Sequence, residues 1–195
     1  MGVCEMFCAI KMKTIKKCIA AGIVLAVLAA GVYQLSRWFP VRYIDEITTY
    51  AEQYDLPPAF VCAVIHAESR FRPEVQSPRG ASGLMQLMPI TADWGAAEIG
   101  LPDYSYDRIH EPELNIQIGC WYLRRLLDQY GVADTALAAY NAGSGNVSGW
   151  LSDAAYSADG RSLTVIPFGE TARYVEKINR NQRIYEIILM LRRYV

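Results

Sequence analysis

Nineteen consecutive residues without a charge, Cys18 to Ser36, constrain this chain more than any other feature. The stretch IAAGIVLAVLAAGVY lies at their heart. As a helix the run would be about 28 Å long, close to the hydrocarbon thickness of a bilayer. Lys11, Lys13, Lys16 and Lys17 precede it. Basic residues ahead of an apolar span favour an N-terminus inside and a body outside. Tyr33, Trp38 and Phe39 suit the outer interface. The lysine flank argues against a buried core helix. Ala29 and Ala30 offer small residues to a signal peptidase, so a cleaved signal and a secreted body stay open beside the retained anchor that the length of the run favours. No Cys closely follows the run, so a lipoprotein anchor is not supported, and Met12 followed by KTIKK would make an export start by itself. The expected organisation is a basic cytoplasmic N-terminus (1–17), a transmembrane signal anchor (18–36), a linker (37–43) and one domain (44–195). That gives a single-pass protein of the cell membrane with its body on the extracytoplasmic face.

The remaining composition narrows the class of that body. Apolar residues make up 52% of the chain and charged residues 20%, which favours a packed globule over disorder. The first forty residues hold five basic and one acidic residue, leaving 14 basic and 19 acidic from Val41 onward, a net of −5. A mildly acidic body without a basic stripe carries no footprint for nucleic acid. Of the five cysteines, Cys4, Cys8 and Cys18 fall inside or at the membrane. Cys62 and Cys120 lie in apolar helical segments, and buried free thiols are favoured over a disulfide between them. The only histidines are His66 and His110, and no Cys/His group has metal-ligand spacing, so no metal is expected.

Periodicity after Pro40 is helical almost throughout. Ile44, Ile47, Tyr50, Ala51 and Tyr54 recur at steps of three and four. Pro57 and Pro58 suit the opening of a second helix running to about Arg70, in which Val61, Val64, Ile65 and Glu68 form one stripe. A turn-rich connection spans Phe71 to Ser82, followed by a short helical piece at Leu84–Met88 and a segment from Pro89 to Ile99. Asp103 to Arg108 reads as loop. Pro112 starts a longer helix with Leu114, Ile118, Trp121, Tyr122 and Leu126 on one side and Gly131 at its end. Asp134 is positioned to cap TALAAYNA, whose alanines permit close packing, with Gly143 at its end. Ala154 to Pro167 reads as a surface excursion, and a final helix from Thr171 carries Tyr174, Ile178, Tyr185 and Ile188. The body is expected to be all-α.

Glu68 is the residue that opens a chemical argument. A carboxyl closing an apolar stripe loses solvation, which raises its pKa, and an acid still protonated near neutrality can protonate a poor leaving group. A buried pairing with Arg70 or Arg173 is the competing reading, and helical position alone does not separate the two. Gln86, Tyr140, Asn141 and Glu170 are further polar groups among small or apolar neighbours. Each also has an ordinary reading: Gln86 bonding within its loop, Tyr140 as core, Asn141 at a helix end, and Glu170 near a helix start, where negative charge suits the dipole. Thirteen tyrosines suit sugar stacking but serve equally in helical cores.

The order of the pieces is more specific. ESRFRPEVQSPRGASGLMQLMPITA, NIQIGCWYLRRLL, ALAAYNAGSGNVSGW and IPFGETARYVEKI follow one another along the chain. This series resembles the catalytic domain of the soluble lytic transglycosylase family, over about Ile44 to Ile188. The resemblance implies a single lysozyme-like (goose-type) helical domain behind the N-terminal helix, and cleavage of bacterial peptidoglycan (murein) glycan strands. It places Glu68 at the family's acid/base position and Ser77 near the sugar site. Gln86, Met88, Tyr140, Asn141 and Glu170 match residues of the glycan groove, and Tyr174 falls in the family's ET-x-x-YV element. Ser144 stands where the family often has Pro.

The implied reaction is a lyase reaction without cofactor or metal. It breaks the β-1,4 bond between N-acetylmuramic acid and N-acetylglucosamine and leaves a 1,6-anhydro-N-acetylmuramic acid end. Glycosidases commonly use two carboxyls; here the 6-hydroxyl of the sugar would serve as the internal nucleophile, with Glu68 as the single acid/base. Two rivals are a lysozyme-type hydrolase on the same fold and a non-catalytic cell-wall-binding scaffold. The expected partners are glycan strands and, through the N-terminal helix, the cytoplasmic membrane; nucleic acid is not among them, and a monomer is expected.

Overall fold

The computed structural model describes the backbone of residues 3–192 and the side chains of residues 16–17, 19–27 and 29–192. Cys4, Cys8, Cys18, Lys11 and Lys13 therefore lie outside the described side chains, as do residues 193–195 of the expected domain. The chain divides into two units between Pro40 and Val41. In the first, α1 (Val3–Trp38) is one continuous helix. Its segment Ile19–Trp38 has a mean hydropathy of 2.0, and none of its described side chains is buried. Among the described residues it is the one helix long and apolar enough to cross a membrane.

The second unit is all-α, as expected. It contains α2 (Ile44–Gln53), α3 (Pro58–Glu68), α4 (Pro89–Ile99), α5 (Pro112–Tyr130), α6 (Ala133–Ala142), α7 (Ser144–Leu151) and α8 (Gly169–Arg192), with a 3₁₀ turn at Tyr106–Arg108. Among the described residues the only β pairing is two isolated bridges, Gln76 with Ser82 and Ser82 with Leu87. Prolines open three of the helices: Pro58, Pro89 and Pro112 stand in the first turns of α3, α4 and α5, where the missing N–H costs nothing. Gly100 and Gly131 close α4 and α5 in the left-handed conformation.

α3 differs from the single stripe expected of it. Every residue from Ala59 to His66 is buried, so the helix is apolar on all faces and sits inside the body. α2 lies against it on one side and α8 packs along it on another. The centre of α6, Thr135 to Ala139, is buried too, and its alanines let α5, α7 and α8 all approach. Asp134 does not cap α6: the capping position is Val132, and the Asp134 carboxylate instead accepts a hydrogen bond from Asn179 Nδ2 on α8 at 2.8 Å. α7 was not anticipated; Gly143, at φ 86°, both ends α6 and starts α7.

The expected helical piece at Leu84–Met88 is instead a turn. Ser82 and Leu87 exchange backbone hydrogen bonds at 3.0 Å each way, and Gln86 has φ 48°, which a right-handed helix does not allow. Asn115 of α5, fully buried, holds this turn from beneath. Its Oδ1 accepts from the Met85 N–H at 2.7 Å, while Nδ2 donates to the carbonyls of Ser82 (3.1 Å) and Ile109 (2.9 Å). Two glycines make the approach possible. A Cβ on Gly83 would collide with Asn115, and one on Gly119 with Met85.

Candidate active site

α3 ends at Glu68, and the chain then reverses sharply. Arg70 and Phe71 both have positive φ, 54° and 60°, a conformation that a bulky residue adopts only when its surroundings enforce it. Here the enforcement is burial: Phe71 is fully inside and packs against Tyr185, ring centroids 6.0 Å apart. The reversal leaves the Glu68 carboxyl at the end of its helix with no further turn above it.

A groove of about 530 Å³ passes over this carboxyl. Glu68, Ser77, Gln86, Met88, Tyr140, Asn141 and Glu170 all line it. The remaining anticipated residue, Tyr174, is buried behind the groove and donates its hydroxyl proton to Glu68 Oε1 at 2.5 Å. The groove is thus assembled from the end of α3, the 77–88 connection, the end of α6 and the start of α8. Residues 102 positions apart, Glu68 and Glu170, meet only because α8 packs on α3 and α6.

Burial pushes the Glu68 carboxyl up to about 7, against the Tyr174 hydrogen bond and the positive charge of Lys177, which both pull it down. Lys177 sits one helical turn beyond Tyr174 and donates to the Ala67 carbonyl at 2.9 Å. The C-terminal end of α3 also disfavours a negative charge. No ion pair neutralises it: among the described residues the ion pairs are Arg108–Glu111 and Arg124–Asp128, so neither Arg70 nor Arg173 pairs with Glu68. The result is an acid that exchanges its proton near neutrality while facing a groove.

The other walls are fixed by hydrogen bonds of their own. Tyr140 donates to the Met85 carbonyl at 2.7 Å. Burial and the charge of Glu68 hold the hydroxyls of Tyr140 and Tyr174 well above the ordinary tyrosine range, so both remain donors. Ser77 Oγ accepts from the Ala81 N–H at 3.0 Å, and Gln86 Nε2 donates to the carbonyls of Val75 and Gly83 at 2.9 Å each. Gln86 therefore does bond within its loop, while its side chain still forms groove wall. Asn141 Oδ1 accepts from the Thr171 hydroxyl at 2.8 Å, joining the end of α6 to the start of α8.

Sequence reasoning missed several lining residues. Arg79, Thr91 and Tyr122 also face the groove, and Lys177 reaches Glu68 from behind. Tyr122 appeared in the sequence only as a member of the α5 stripe. Its ring contacts Tyr140, centroids 5.3 Å apart, and that contact is long-range. Cys62 and Cys120 are both buried and carry no disulfide.

With this geometry in view, the chain can be set beside known proteins. The family model described as the transglycosylase SLT domain matches residues 45–161. A soluble lytic murein transglycosylase of Salmonella typhimurium is 41% identical over 147 residues, 74% of this chain and 23% of the relative. A membrane-bound lytic murein transglycosylase C of Edwardsiella ictaluri is 30% identical over 175 residues, 75% of this chain and 47% of the relative. The crystal structure of the 70-kDa soluble lytic transglycosylase of Escherichia coli superimposes with a TM-score of 0.70 at 34% identity, over 85% of this chain and 28% of the other. An inactive glutamate-to-glutamine mutant of the lytic transglycosylase Slt of Pseudomonas aeruginosa gives 0.69 at 32% identity, over 77% and 25%. The chain spans about a quarter of the length of the soluble relatives it matches.

Proposed function

The chain belongs to the transglycosylase SLT domain family, and from that premise we propose that its body is a peptidoglycan lytic transglycosylase with Glu68 as sole acid/base. The observation that carries the reading is Glu68 itself: a half-buried carboxyl with a pKa near 7, no ion-pair partner, and a groove above it. That a Glu-to-Gln exchange marks the inactive Pseudomonas relative is in keeping with one essential glutamate.

The chemistry follows from what surrounds the acid. Tyr174 engages Oε1 and leaves Oε2 to hold the proton. Delivered to the oxygen of the β-1,4 bond on the N-acetylmuramic acid side, that proton makes the departing sugar a neutral alcohol. Negative charge then develops on Glu68, where the Tyr174 hydroxyl and the Lys177 ammonium stabilise it more than they stabilise the neutral acid. The carboxylate next accepts the proton of the muramic 6-hydroxyl as that oxygen bonds to the anomeric carbon. The product is a 1,6-anhydro-N-acetylmuramic acid end, and Glu68 regains its proton. An internal nucleophile also gains the entropic advantage of an intramolecular reaction. Ser77, Gln86, Met88, Asn141 and Glu170 serve as substrate-side walls in this reading.

In this reading α1 serves as the anchor: four lysines precede its apolar segment, and that flank favours a body on the outer face of the cytoplasmic membrane, where peptidoglycan lies. Mass spectrometry of products from purified sacculi tests the reaction. Anhydro ends are expected; products one water heavier, with reducible ends, would make the protein a hydrolase. Protease shaving of intact spheroplasts tests the topology, with loss of the body expected and its full protection overturning the assignment.

A further inference from the structure

The lining of a second cavity, of about 610 Å³, includes Trp94, Tyr122, Arg125, Asp128, Gln129 and Ser144. Tyr122 is common to this cavity and to the groove of Glu68, and the Gly143 wall of the groove runs directly into Ser144. A linear polymer leaving the groove past Tyr122 would reach this second space.

Trp94 is 43% exposed, one of several large apolar side chains that the body leaves open, Phe168 among them. Its placement is nevertheless fixed. Trp121, 8% exposed, meets it edge to face with centroids 4.8 Å apart and planes at 84°. The Arg125 guanidinium lies over the Trp94 ring, 5.5 Å from its centroid. Arg125 has no carboxylate partner among the described residues, while Asp128 is engaged by Arg124 at 2.6 Å. An indole left partly open, with a planar multi-donor cation over its ring, suits a sugar unit: a pyranose C–H face rests on the part of the indole that Arg125 leaves uncovered, and its hydroxyl and acetamido oxygens accept from the guanidinium.

From this we infer that the Trp94–Arg125 cavity is an outlying subsite for one further N-acetylhexosamine unit of the strand held at Glu68. The inference rests on the glycan reading of the groove and adds a length requirement to it. A strand reaching past Tyr122 binds more tightly than one that ends before it.

Titration calorimetry on the full chain in detergent tests this without turnover, using Glu68→Gln as background and defined alternating N-acetylglucosamine–N-acetylmuramic acid tetra- and octasaccharides. The background protein is expected to bind the octasaccharide more tightly. Adding Trp94→Ala should weaken octasaccharide binding by about threefold to tenfold, leave the tetrasaccharide unchanged and so close the gap. Arg125→Gln, an exposed change that spares the Trp94–Trp121 contact, should narrow the gap in the same direction. An unchanged gap in both variants, or equal weakening at both lengths, overturns the subsite. An Arg125 effect seen only on strands bearing stem peptides would assign the cavity to a peptide carboxylate and also overturn it. Wild-type cleavage of sacculi without a length gap removes the subsite and keeps the lyase; a Trp94-dependent gap in a protein that cleaves nothing does the reverse.

Discussion

Two glutamates share one groove and are held in opposite ways. Glu68 closes α3, at the end of a helix whose dipole disfavours negative charge, half-buried and bonded to Tyr174. Glu170 stands in the first turn of α8, exposed, where the free N–H groups of a helix start favour negative charge. Residue type is identical, and both line the same space. The difference teaches that helix position and burial assign chemical roles here: the first carboxyl is set up to exchange a proton, while the second stands open to solvent at the rim of the groove.

The sharpest way to break this contrast is to neutralise each acid in turn. Glu68→Gln is expected to lower release of soluble muropeptides from sacculi by about 10²- to 10⁴-fold, the usual reach of a general acid. Glu170→Gln should cost about tenfold or less, as loss of one exposed polar contact. Equal losses would mean that the two acids work as a pair, and the single-acid mechanism would fall.

Tyr174→Phe comes next in size. It removes the short bond that stabilises the ionised form of Glu68, and a hydrogen bond to a charged group contributes about 1.5–3 kcal/mol. Activity at neutral pH should drop by about tenfold to a hundredfold. Because that bond holds the Glu68 pKa down, the alkaline limb of the pH–rate profile should move upward. A profile that keeps its position while the rate falls would make Tyr174 a packing residue only.

Much of this contrast was legible in the sequence, and what was not has physical causes. Prolines at first helical turns, the Gly131 cap and the heptad-like steps of α2 and α5 are local signals, and they gave the elements. Glu68 stood out because it closes an apolar stripe of its own helix, after Val61, Val64 and Ile65. The Gly83–Leu87 turn was misread as helix because its shape is imposed from outside, by Asn115 some 30 residues away and by the space above Gly119. Lys177 carried no local mark and Tyr122 only that of the α5 stripe, since their relation to Glu68 and Tyr140 exists only once α8 and α5 have packed. The series of motifs compensated, placing Tyr140, Asn141 and Glu170 on one groove before any contact between them could be derived.

The contrast also has a stability signature. The Glu68 pKa rises from an ordinary 4.5 to about 7 on folding. Between those values the native state holds a proton that the unfolded chain has released, so stability declines as pH rises through that window, and above about 7 the full penalty is present. Below 4.5 both states are protonated and the penalty is gone. Glu68→Gln should therefore raise stability at pH 8 by about 1–3 kcal/mol, after allowance for partial solvent access, and change it little at pH 4. Urea unfolding at the two pH values checks this. A variant equally or less stable than the parent at pH 8 would show that Glu68 does not burden the fold, and its assignment as a desolvated acid would fail.

Lys177→Met gives the smallest effect and the finest resolution. The ammonium donates to the Ala67 carbonyl, one residue before the acid, and its charge lowers the Glu68 pKa from a distance without pairing with it. Arg70 and Arg180 also bear on Lys177, and burial together with Arg70 lowers its own pKa, so its hold on the proton is weaker than that of an ordinary lysine. Removing it should change the rate at the optimum by less than about threefold while moving the alkaline limb upward, in the same direction as Tyr174→Phe but by less. Tyr174 acts by a direct bond, Lys177 only through its field, and salt should separate them. Raising ionic strength should shrink the Lys177 effect, because a partly exposed charge is screened, and leave the Tyr174 effect in place. If both effects fade with salt, the Glu68 proton is governed by the general field of the groove, and the distinction between its buried wall and its exposed rim loses its basis.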